Sequence, residues 1–225
     1  MSTDPPQPAP FNLTELDRKV LSLTDEEFVP HDWENLKDII SRNDLGALVR
    51  RPSDLRRYIA WSNDVRAEYG SVTNYILQRR LGWSAEETKD GYSFPVHDPT
   101  PFADPRDYRI LRNDWPYGFA PGITHLVVWL KTPLAVKPGG EGHITDESRA
   151  RIDEFVRRTF VARLERERRP DDGTPRFPNP QDHVLWFKNW TGLQSVRALE
   201  HVHVLVRDVP EEIIVEWTGE EALTR

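Results

Sequence analysis

The chain predicts an α+β fold: an N-terminal helical lobe followed by an antiparallel sheet that carries one long helix. Three observations lead there. Between Phe11 and Trp83, apolar residues recur at three- and four-residue spacing, the period of helices buried on one face. After Gly122 the period falls to two, in short runs rich in Val, Leu and Trp. One long amphipathic segment, Thr145 to Arg169, separates those runs. Strands that follow a helical half, joined by loops and a single helix, favour a segregated antiparallel sheet over alternating parallel units.

Residues 1–10, "MSTDPPQPAP", carry too little apolar surface to fold, so a disordered tail is expected. The helical lobe spans 11–83. In it, "LTDEEF" and "HDWENLKDIISRN" put acidic residues ahead of apolar ones, which suits the positive end of a helix. "PSDLRRYIAWSNDVRAEYG" opens on a capping region and closes at Gly70; "SVTNYILQRRLGW" closes at Gly82. The stretch 84–122 contains six prolines and reads as an ordered, aromatic-rich loop. A loop that long inside a compact domain is usually functional. "ITHLVVWLKT" is a strand with His125, Val127, Trp129 and Lys131 on one face. The long helix takes Thr145 or Asp146 as its cap, with Ile152, Phe155, Val156, Phe160 and Leu164 as its apolar stripe. After the turn-rich "DDGTPRFPNPQD", the runs "HVLWFKNW", "LEHVHVLVRD" and "EEIIVEW" read as three more strands. Region 84–225 is expected to form one compact domain with the lobe.

Composition bounds the chemistry. With 225 residues, 37% of them hydrophobic, the chain can fill a core to which eight Trp and nine Phe contribute large side chains. There is no cysteine, which excludes disulfides, thiolate zinc sites and a cysteine nucleophile. The N-terminus lacks the basic and apolar regions of a signal peptide, and no apolar run approaches a membrane span. A cytoplasmic protein with no membrane partner is therefore expected. A net charge of −7 argues against a broad polyanion-binding surface, while clustered arginines leave room for a local one.

The stretch "ALEHVHVLVRD" concentrates the chemistry. On a pleated strand, Val202, Val204 and Val206 mark the core side, so His201 and His203 share the opposite face with Leu199 and Leu205. Side chains at i and i+2 stand roughly 7 Å apart, close enough to reach one substrate or one metal. A metal would need further ligands, with His125, His183 or Glu200 as candidates, and a regular strand turns Glu200 the other way. A general base or acid is the better expectation, because imidazole titrates near neutrality. The plain alternative is a hydrogen-bonded structural histidine.

The same strand, with "NWTGLQSV" upstream, resembles the histidine-triad nucleotide hydrolases and transferases. His201 and His203 match the second and third histidines of that motif, which would make His201 the nucleophile that attacks phosphorus. The departures are Leu199 in place of the first histidine, Glu200 in place of an apolar residue, and one extra residue between Gln194 and His201.

Two longer stretches, "NDWPYGFAPGITHLVVWLKTPL" and "HVLWFKNWTGLQSVRALEHVHVLVRDV", are similar to a largely fungal domain-of-unknown-function family. That family includes N-acetylglucosamine-induced proteins and arginine-containing cyclodipeptide synthases, and the resemblance covers most of the chain after the tail. It implies an enzyme that takes aminoacyl groups from tRNA, one of them arginine, and joins them as a diketopiperazine. It supplies no residue assignments.

Such a reaction starts from an activated ester. It needs no ATP or other cofactor, and no Walker-type loop is present. It does need a base for an α-amine, oxyanion donors and a holder for the arginine side chain. His201 or His203 suits the base. Asn189, Trp190 and the backbone near Gly192 suit the donors. Ser195 or Thr124 suits a covalent acceptor, with direct attack of one aminoacyl group on the other equally open. Asp114 is the first choice for the guanidinium, with Trp115 and Tyr117 to stack on it and Glu200 as second choice. His125 and Trp129 share a strand face and are candidates to line the same site. Arg50, Arg51, Arg56, Arg57, Arg79 and Arg80 are candidates for tRNA phosphates, against the alternative of a solvated helical face. The competing readings are a histidine-triad-like nucleotide hydrolase or transferase, and a non-enzymatic sugar- or stress-response protein. The second amino acid and the oligomeric state are not legible.

Overall fold

A computed structural model describes residues 13–223 apart from 90, 140 and 141. The tail expected over 1–10 lies outside these residues. The expected α+β architecture is present. Its centre is a four-stranded antiparallel sheet made of β3 (Tyr108–Arg112), β4 (Ile123–Leu130), β6 (Glu200–Arg207) and β5 (Val184–Phe187), in the spatial order β3-β4-β6-β5. A short hairpin of β1 (Glu86–Thr88) and β2 (Gly91–Ser93) stands apart from it.

Helices cover both faces of the sheet. On the valine face, Val128, Val202, Val204 and Val206 pack against Ile152, Phe155, Phe160 and Leu164. These last four belong to one helical run: α5 (Asp146–Val156), a π-helical turn (Arg157–Val161) and α6 (Ala162–Glu165), capped by Thr145 as expected. Ile213 and Ile214 from α7 (Glu211–Thr218) join the same core.

The other face meets the N-terminal lobe: α1 (Glu15–Leu21), α2 (Trp33–Ser41), α3 (Pro52–Tyr69), and α4 (Val72–Tyr75) running into a π-helical turn (Ile76–Leu81). Two apolar patches fasten it. Ile76, Leu77 and Leu81 sit on Leu111, Val127 and Trp129. Trp33, Leu36 and Ile39 sit on Phe187 and Leu205. Helix α3 contributes Leu55 and Tyr58 to a third cluster, against which Trp61 and Trp115 pack. Gly70 and Gly82 end their helices in left-handed conformation, as their positions predict.

Three elements differ from expectation. "EEIIVEW" is helix α7, not a strand. Pro210 and two glutamates start it and left-handed Gly219 stops it, punctuation that outweighs a short apolar run. The proline-rich 84–122 stretch contains β3 and the small hairpin. Ile110 and Leu111 are buried in different cores on opposite faces of β3, so the strand lacks the alternation that would reveal it. "LTDEEF" forms a turn in which Glu27 accepts from the Thr24 backbone N–H at 2.8 Å, rather than a helix.

Candidate functional site

The two apolar patches beneath the lobe leave a gap between them, and that gap is a cavity of about 570 Å³. Its floor is the sheet, through Val127, Trp129, His201 and His203. Its roof is α3, through Tyr58 and Trp61, and the π-helical turn after α4, through Ile76 and Arg80. One wall is the Asn113–Tyr117 turn and the other is the Asn189–Arg197 loop, including Ser195.

Both histidines of the central strand are buried, 5% and 7% exposed, because the lobe covers the face that the valines leave free. Antiparallel register sets Trp129 opposite His201 and Val127 opposite His203. The His201 ring lies against Trp129, centroids 4.8 Å apart. Its Nδ1 is 2.8 Å from the Leu199 carbonyl, which can only accept, so Nδ1 carries the proton. Burial pushes the His201 pKa below its ordinary value, against the opposing pull of that carbonyl and of Glu200. The neutral ring therefore keeps a lone pair on Nε2, which makes no hydrogen bond among the described residues.

His203 plays a different part. Its Nδ1 is 2.9 Å from Nε2 of His125, and its Nε2 is 3.4 Å from the Asn189 amide nitrogen. With the amide donating to Nε2, the His203 Nδ1–H donates to His125. Burial, with a smaller push from the Arg50 charge, lowers the pKa of His125 to about 3, and burial with the neighbouring His125 and His201 lowers that of His203 well below its ordinary value. His125 and His203 thus form a neutral relay under the floor, with Phe187 stacked on His203 at 4.7 Å. Asn189, 4% exposed, also donates to the Tyr117 hydroxyl at 3.2 Å, and its Oδ1 has no partner. Trp115 Nε1 is a second buried polar atom without a partner.

The lining is cationic. Arg50, Arg66, Arg80, Arg112 and Arg197 face Asp17 and Asp114. Asp114 does hold a guanidinium, that of Arg80 at 2.8 Å. Arg80 also pairs with Glu220 at 2.9 Å, and Arg112 pairs with Glu211 and Glu220. The π-helical turn carries Arg80 into this network while its neighbour Arg79 stays exposed.

Of the residues singled out in the sequence, His201, His203, Ser195, Asn189, Asp114, Trp115, Tyr117, Trp129, Arg50 and Arg80 line this one cavity. His125 lies behind His203. Glu200 lies on the opposite sheet face, paired with Lys188 at 3.0 Å and accepting from the Leu134 N–H. Arg51 and Arg79 are exposed outside the cavity, as are Arg56 and Arg57. Arg56 donates to the carbonyls of Leu21 and Leu23, and Arg57 pairs with Asp54. Sequence reasoning missed Trp61, Asn113 and Gln194 as lining residues. A Trp at helical spacing reads as core, and the Asn and Gln carry no spacing signal.

A separate cluster, His97, Asp104 and Asp107, brings three possible ligand atoms within 4.8 Å of one another. Its carboxylates are already engaged. Asp107 accepts from the His97 and Asp98 backbone and from Lys131, and Asp104 pairs with Arg106. The donor set fits a loop fastener better than a cation site.

Comparisons with known proteins give the chain a family, two similar fungal proteins and one solved structure of similar fold. A family model described as "Protein of unknown function (DUF3605)" matches residues 32–207, which takes in the whole cavity lining except Thr14 and Asp17. N-acetylglucosamine-induced protein 1 of Candida albicans is 28% identical over 197 residues, 83% of this chain and 72% of that protein. The uncharacterized protein YPL067C of Saccharomyces cerevisiae is 30% identical over 181 residues, 80% of this chain and 81% of that protein. A solved structure, "Crystal Structure of HTC1", superposes with a TM-score of 0.57 at 29% identity, covering 80% of this chain and 86% of that one.

Proposed function

The chain belongs to the DUF3605 family, and from that premise we propose that it is an aminoacyl-tRNA-dependent synthase of an arginine-containing cyclic dipeptide. The observation that carries this reading is His201: a neutral imidazole, oriented by the Leu199 carbonyl, presenting the Nε2 lone pair to a cavity lined by Tyr58, Trp61, Trp115, Tyr117 and Trp129. In each of two acyl transfers an α-amine attacks an ester carbonyl. A C–N bond forms, the C–O bond to the ribose breaks, and the proton passes from the amine through His201 Nε2 to the departing ribose oxygen. Arg50, a partly buried lining arginine without a carboxylate partner among the described residues, disfavours an ammonium ion beside it, which favours an incoming amine in its neutral, nucleophilic form. A substrate arginine reaches Asp114 by displacing Arg80, which keeps Glu220 as its partner. The cytoplasm, where charged tRNA is plentiful, is the compartment this reading requires. No helix among the described residues is long and apolar enough to cross a membrane.

A second reading has the same nitrogen attack phosphorus, in a histidine-triad-like nucleotide transfer. It is favoured by the cationic lining and the free Nε2. Expression in a heterologous host followed by mass spectrometry separates the two. The synthase reading expects arginine diketopiperazines from the wild type and none from His201→Gln. Absence of any such product from a well-expressed wild type, with His201-dependent turnover of dinucleotides or nucleoside phosphoramidates instead, would replace it with the second.

A further inference from the structure

Among the partly buried arginines that line the cavity, one has surroundings unlike the others. Arg80 and Arg112 are partly buried and each pairs with carboxylates, and Arg66 and Arg197 are exposed. Arg50 is partly buried too, yet has no carboxylate partner among the described residues. Its Nε donates to the Trp115 carbonyl at 3.2 Å, which fixes the plane of the group. Its guanidinium carbon lies 4.3 Å from the centre of the Tyr58 ring and 5.3 Å from that of Tyr117. Aromatic faces stabilise a guanidinium without neutralising it, and they leave its terminal N–H groups available. A partly buried charge held without a counter-ion favours an anion that completes it.

Beside this cation lies an aromatic wall, and two of the lining residues carry buried polar atoms without a partner. Trp61 and Trp115 line the cavity with ring centroids 5.3 Å apart. Asn189 Oδ1 is an acceptor without a donor, and Trp115 Nε1 a donor without an acceptor. A ligand matching this set has a phosphate for Arg50 and a flat ring to lie against the aromatic side chains.

We infer that the cavity is a nucleoside monophosphate site in which Arg50 grips the phosphate as a bidentate fork. The inference deepens the proposed function and rests on it for one source of the ligand, the terminal nucleotide of an RNA. A free nucleotide is the other source with the same chemistry. The outer arginines Arg51, Arg56 and Arg57 have no part in it.

Calorimetric titration of the full chain tests this without any turnover. The probes are adenosine monophosphate, adenosine, inorganic phosphate and a short RNA ending in CCA. Adenosine monophosphate should bind at least roughly tenfold more tightly than adenosine, the scale of one charge-assisted bidentate contact. Arg50→Gln should erase that difference and leave adenosine binding unchanged. Arg50→Lys, which keeps the charge but loses the fork, should recover it only in part and serves if the Gln variant folds poorly. Arg57→Gln should change nothing. Tighter binding of the RNA than of the mononucleotide identifies an RNA terminus as the source; equal binding identifies a free nucleotide. Undiminished adenosine monophosphate affinity in both Arg50 variants, or no binding by any phosphate probe, overturns the inference. If Arg50-dependent binding holds but no cyclic dipeptide is made, the synthase reading falls and this site stands. If product forms equally well with Arg50→Gln, the reverse is true.

Discussion

His201 Nδ1 lies 2.8 Å from the carbonyl oxygen of Leu199, two residues back along the same strand. That single bond decides which ring nitrogen carries the proton and turns the lone pair of Nε2 toward the cavity. Replacing His201 with Gln keeps the volume and a polar group but removes the base. Turnover should fall by about 10²–10⁴-fold, the usual span for loss of a general base. Circular dichroism should remain that of the wild type, and a variant with normal turnover would remove His201 from the mechanism.

Acid should destabilise the fold through the buried imidazoles. An ordinary histidine titrates near 6.5 and His125 is held down at about 3 by burial. Between these values the unfolded chain binds a proton that the folded chain does not. The stability is therefore full above pH 6.5 and is lost as pH falls toward 3, at about 1.4 kcal/mol per pH unit for one such group. His203, lowered by burial and by its neighbour His125, adds in the same direction. Urea midpoints should stay level from pH 7.5 to about 6.5 and then fall toward pH 5 in the wild type, and fall more gently in a His125→Gln, His203→Gln double variant. Parallel curves for the two proteins would contradict this.

Lys188 and Glu200 form an ion pair beneath the valine face, with side chains 6% and 18% exposed. Lys188→Met alone strands the carboxylate and should cost about 3–5 kcal/mol. Adding Glu200→Gln should recover much of that loss, because the amide oxygen still accepts from the Leu134 N–H, now 3.0 Å from the carboxylate. Additive losses in a denaturant double-mutant cycle would show that the two side chains do not act as a pair.

Gly118 sits where a Cβ would run into the Phe28 ring and the Arg51 backbone nitrogen. Its own N–H and carbonyl bond to Val49 and His31, both at 2.8 Å. Gly118→Ala should cost about 1–3 kcal/mol as overpacking and shift the adjoining Tyr117 out of register with Arg50. A thermal midpoint within a degree of the wild type would show that the loop yields freely.

Helix α5, its Thr145 cap and the Gly70 and Gly82 stops were legible in the sequence because each is encoded locally, by period and by punctuation. So was the division of β6 into a valine face and a histidine face, which needs only the pleat. Other features depend on partners distant in the chain. Strand β3 is hidden because a second layer of helices buries Leu111 as well as Ile110. Arg50 and Arg51 are neighbours, yet one enters the cavity and the other faces solvent, and only the docking of α3 against the Trp115 turn separates them. Asp114 reads as a holder for a foreign guanidinium until Arg80, 34 residues away, is seen to occupy it. The alternation of residues therefore fixed which side chains share a face. Burial of that face by the lobe, a long-range packing event, decided that the histidines are neutral, enclosed and aimed at a cavity.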